Sequence, residues 1–114
     1  MYTITDEEAI RCLDYIRDAA SVYAKAKSER VYFDQFRKSK KAMLQRDCPS
    51  SPGERVTDKT RESYAYAHQD YLDILSAIKI SVEEEEKHKF LLVAAQAKLE
   101  AWRTMSANER GATK

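Results

Sequence analysis

From Thr5 to Arg46 no glycine or proline interrupts the chain, and apolar side chains recur at helical spacing. Ala9, Leu13, Ile16, Ala20 and Tyr23 step by four and three, so they share one helix face. Phe33, Phe36, Lys40 and Met43 continue the spacing in a shifted phase, which resembles a stutter in a heptad repeat. Thr5 and Glu8 have the spacing of a capping box, and Asp6 and Glu7 put negative charge at the positive end of the helix dipole. Ile4 is placed as a hydrophobic staple. The pattern predicts a first helix over 5–46.

Two prolines, two serines and a glycine crowd the stretch RDCPSSPGERVTD, the one strong break in the chain. It predicts a loop over 47–57, with Thr57 or Asp58 capping the next helix. That second helix is expected over 58–108. Its seam runs Tyr64, Ala67, Tyr71, Ile74, Ile78, Ser81, Glu85, His88, Leu92, Ala95, Leu99, Trp102, alternating steps of three and four. The polar run SVEEEEKHKF leaves that phase unchanged, which favours one continuous helix. The rival is a break at Ser81. Ser81 and Glu84 have capping-box spacing, and β-branched Ile80 and Val82 weaken the helix locally, giving a three-helix bundle. The small, polar residues 109–114, with Gly111 as a stop, are expected to fray.

These elements predict an all-α fold in a single domain, 1–114, built as a long antiparallel helical hairpin of coiled-coil character. Leu13 would face Leu92, and Ala9 would face Ala95. One hairpin covers only part of each apolar stripe, because Ile10, Tyr15, Leu75, Phe90 and Leu91 lie off the seam. Two hairpins packed as a four-helix bundle would cover the rest, so a homodimer is expected. Parallel and antiparallel pairings satisfy the stripes equally. Trp102, beyond the reach of the first helix, either closes the core near Tyr2 and Ile4 or is presented to a partner.

Charge adds a second theme. The chain of 114 residues carries a net charge of +1, but residues 25–61 hold eleven basic against five acidic side chains, and both flanks are acidic. Arg37, Lys38, Lys40, Lys41 and Arg46 lie on the last turns of the first helix, and Arg55, Lys59 and Arg61 flank the loop. In a hairpin all eight gather at one end, with Asp47, Glu54 and Asp58 as their nearby acids. Such a cluster can contact nucleic-acid phosphates, and Tyr64 and Tyr66 are near enough to stack on bases. Cations on the last turns of a helix also complement its dipole, or could meet the acidic end of an antiparallel partner.

Catalytic chemistry finds little support. Glu85-Glu86-Lys87-His88 contains one ExxH motif, where di-iron bundles need two. Asp70 and Asp73 share a face, as do Glu83 and Glu86, but the pairs are too far apart on one helix to hold one metal. With two histidines and no loops to shape a pocket, no nucleophilic triad can be assembled. We expect no enzyme, no cofactor and no metal. Ser81, Glu85 and His88 read instead as a polar layer in the seam, able to fix pairing at a cost in stability.

Cys12 and Cys48 are far apart and outside any CxxC pair, as expected of free thiols in a reducing cytosol. The opening MYTITDEEAIRC has no basic or apolar leader, and no apolar run nears the ~18 residues of a membrane span. Residues 91–110, LLVAAQAKLEAWRTMSANER, resemble the C-terminal helix of small helical proteins of tailed phages and prophages. The likeness rests on Ala95, Lys98, Glu100, Trp102 and Arg103. It implies a cytoplasmic, non-enzymatic accessory protein acting beside DNA recombination or replication proteins. The alternative is a structural or adaptor coiled coil with no nucleic-acid role.

Overall fold

The computed structural model describes residues 3–112. It is all-α: α1 spans Asp6–Arg46, α2 Asp58–Ala67 and α3 Gln69–Ala112, with no strand among the described residues. None of these helices is long and apolar enough to cross a membrane. α1 starts on a reciprocal capping box. Glu8 N–H donates to Thr5 Oγ1 at 3.1 Å, and Thr5 N–H donates to Glu8 Oε2 at 2.9 Å. The loop turns at Gly53, whose φ of 82° suits glycine. Thr57, and not Asp58, caps α2, accepting from Thr60 N–H at 3.2 Å.

The expected helix over 58–108 is corrected at His68, where it divides. The rival break at Ser81 is absent, and Ser81 and the whole polar run lie inside α3, as the unchanged phase favoured. At the division His68 is extended (φ −69°, ψ 138°), and its backbone N–H closes α2 by donating to Ala65 O at 3.3 Å. The His68 carbonyl then starts α3, accepting from Tyr71 and Leu72 N–H, both at 3.1 Å. α3 also runs on to Ala112, past the expected end at 108. Of the expected frayed tail, residues 113 and 114 lie outside the described residues.

Contacts sort the chain into two compact units: Met1–Ala26 with Glu84–Lys114, and Lys27–Glu83. In the first unit the start of α1 meets the end of α3. Trp102 Nε1 donates to Asp6 Oδ1 at 2.9 Å, and Lys98 Nζ lies 3.8 Å from Glu8 Oε1. Trp102 is thus tied to the first turn of α1. Ile4 is buried, while Tyr2 is outside the described residues. In the second unit Leu44, Ala65 and Tyr71 form the buried cluster that joins α1, α2 and α3.

The inward face of α1 differs from the expected stripe. Ala9, Cys12, Ile16, Ala19, Tyr23, Ala26, Arg30, Phe33, Arg37, Lys40 and Leu44 are buried or half-buried. Their steps alternate three and four without a stutter. Leu13, Ala20, Phe36 and Met43 are exposed. Small side chains and the aliphatic stems of arginine and lysine occupy the inward positions, so the larger apolar groups fall one position aside. On α3 every seam position from Tyr71 to Trp102 is buried or half-buried.

Candidate functional site

The basic positions of the second unit are mostly engaged with their own chain. Lys40 Nζ lies 3.3 Å from Asp70 Oδ2, and Lys41 Nζ 3.3 Å from Glu62 Oε1. Lys41 also donates to the Tyr66 hydroxyl at 2.6 Å. Its 4.5 Å distance to the ring centroid puts the ammonium at the hydroxyl end of the ring. That hydroxyl first, and Glu62 with it, raise the Lys41 pKa against the opposing effect of desolvation. Arg37 pairs with Asp34 at 3.1 Å. Its pKa is also raised, chiefly by the Tyr71 hydroxyl. Arg46 lies 3.7 Å from Asp47, and Arg61 donates to the Gln45 carbonyl at 3.4 Å. Among the described residues, Lys38, Arg55 and Lys59 remain exposed and without an ion pair.

The polar seam residues fall in different units. Ser81, in the second, is buried, and so is Glu85, in the first, where it has an interaction partner. His88 is half-buried, with Nε2 3.4 Å from Glu84 Oε2 one turn earlier. The carboxylate of Glu84 thus stands beside His88. Asp70 is held by Lys40, and Asp73 accepts from Gln69 Nε2 at 2.7 Å. Among the described residues no three His, Cys, Asp or Glu side chains gather as a metal cluster.

The first unit has a groove that sequence reading missed. Tyr15, Ala19 and Val22 of α1 and His88 and Leu91 of α3 line about 340 Å³, with Asp18 and Lys87 also at its surface. Val22 and Leu91 flank the seam on both helices and stay exposed. The signal was available. In an antiparallel pair, the positions just before each first seam residue of a heptad come together on one side, and Tyr15, Val22 and Leu91 hold such positions.

The chain matches no protein-family model, no curated protein and no solved structure. Function must therefore be argued from this geometry. Among the described residues nine apolar side chains are buried, four of them alanines, while fifteen large hydrophobic ones are exposed.

Proposed function

We propose that the protein is a non-enzymatic, all-α interaction module that works as a homodimer. Its helices form an antiparallel hairpin of coiled-coil character, and two hairpins complete a four-helix bundle. The observation that carries this reading is the outward placement of the large apolar side chains. Ile10, Leu13, Val22, Phe90 and Leu91 are exposed in the first unit, and Val31, Tyr32, Phe36 and Met43 in the second. Isolated exposed apolar residues are ordinary, but contiguous ones mark association surfaces. A stable interface takes about 800 Å² from each partner. Sedimentation equilibrium at micromolar concentration tests it. A mass of two chains is expected, and a single-chain mass throughout would reject the reading.

The likeness of residues 91–110 to phage accessory helices suggests a cytoplasmic setting beside DNA recombination or replication proteins. A second reading, contact with nucleic acid, draws on the three unengaged cations Lys38, Arg55 and Lys59. The other five basic positions are already held by their own chain, so the expected affinity is modest. Replacing the three with glutamine should abolish DNA binding measured at low salt. In the natural chain, three phosphate contacts give log affinity a slope of about −3 against log salt concentration. Equal binding by the natural and substituted chains would remove this end of the molecule from the reading. The structural adaptor without a nucleic-acid role would then stand.

A further inference from the structure

One side chain caps the start of α3 at the break between α2 and α3. A helix is usually opened by an oxygen of Ser, Thr, Asp or Asn that accepts a backbone N–H. At the start of α3 the acceptor is His68 Nδ1, which takes the N–H of Asp70 at 3.0 Å. A backbone N–H can only donate. Nδ1 is therefore the unprotonated nitrogen, and the ring proton of the neutral imidazole sits on Nε2. His68 is the sole residue between the two helices, and it is half-buried. No glycine or proline lies between Tyr64 and Leu72 to require a break there.

Protonation removes this cap, because Nδ1 becomes a donor. The carboxylate that could compensate is Asp70, whose Oδ2 lies 3.9 Å from Nδ1. Lys40 of α1 already holds the same oxygen at 3.3 Å. An imidazolium would stand at the positive end of the α3 dipole and at the negative end of the α2 dipole that His68 closes, so the lost cap is the change that remains. The Tyr64 ring of α2 meets the imidazole edge-on at 5.6 Å between centroids, and Asp70 of α3 with Lys40 of α1 are the charged groups placed against the joint.

We infer that His68 is a proton-operated joint: the neutral imidazole holds α2 and α3 apart, and its protonation lets residues 58–112 run as one helix. Imidazole is the side chain that changes charge between about pH 5 and pH 8.

Spin labels at Ser63→Cys and Ser76→Cys test this on a chain carrying Cys12→Ala and Cys48→Ser. Excess unlabelled protein restricts the reading to distances within one chain. Both labelled positions are exposed. In one straight helix they stand about 20 Å apart along the axis. Lowering the pH from about 8 to about 5 is expected to move the distance distribution to the straight-helix value. His68→Asn keeps a capping oxygen that does not titrate, and should hold the high-pH distribution throughout. His88→Gln, altering the other histidine, should leave the response intact. An unresponsive natural sequence, a responsive His68→Asn, or a response lost in His88→Gln would each overturn the inference.

Discussion

A chain carrying Val22→Lys and Leu91→Lys is expected to stay helical and to sediment as a monomer at concentrations where the natural sequence pairs. Both side chains flank the groove of the first unit, and they are 47% and 46% exposed. Neither belongs to the inward seam, so their loss should change the stability of a single chain by no more than about 0.5 kcal/mol. In a two-fold interface each position appears twice. Fully burying a valine or leucine contributes about 1.5–3 kcal/mol, and these start half-covered, so roughly 1 kcal/mol each is the fair expectation. Four such losses amount to about 4 kcal/mol, a weakening of about a thousandfold in the dimer constant. Circular dichroism and sedimentation equilibrium on the same samples separate loss of pairing from loss of fold. An unchanged dimer constant would move the interface away from this groove.

The regular part of the architecture was legible because large side chains mark it. Tyr71, Ile74, Ile78, Leu92, Leu99 and Trp102 announce the inward face of α3. The first helix hid its face, because Cys12, Ala19 and Ala26 carry weak signals and Arg30, Arg37 and Lys40 carry a misleading one. Leu13, Phe36 and Met43 drew the reading outward, toward the surface proposed to meet a second copy. The ion pairs at the basic end were hidden for a related reason. Counting charge near the loop found Asp47, Glu54 and Asp58, whereas Lys41 and Lys40 pair with Glu62 and Asp70 on the two later helices. Ion pairs between helices depend on which faces meet, and a running count along the chain does not contain that. The break at His68 was hidden because imidazole is rarely weighed as a capping acceptor. Asp70 in the first turn after it was the available sign.

Tyr71→Ala is expected to cost about 3–5 kcal/mol, the range for emptying a large aromatic site. A domain of this kind has only about 5–15 kcal/mol to lose, so a considerable unfolded population should accompany the variant. Tyr71 is 5% exposed and packs with Leu44 and Ala65. Its ring meets Tyr66 edge-on at 5.3 Å between centroids, and its hydroxyl helps keep Arg37 charged. Arg37 already has a buried Nε without a hydrogen-bond partner, so removing the hydroxyl leaves that guanidinium leaning on Asp34 alone. Tyr71→Phe isolates this polar part and should cost about 1 kcal/mol. Phe36→Ala supplies the contrast. Phe36 is as large but 40% exposed, and it lies outside the seam. Within a single chain its loss should cost under about 1 kcal/mol. If a second copy covers it, a larger cost emerges only as protein concentration rises, because association adds to stability by mass action. Urea midpoints at two protein concentrations, with slopes compared to confirm a common transition, read all three variants. Equal costs for Phe36→Ala and Tyr71→Ala at every concentration would contradict the assignment of inward and outward faces.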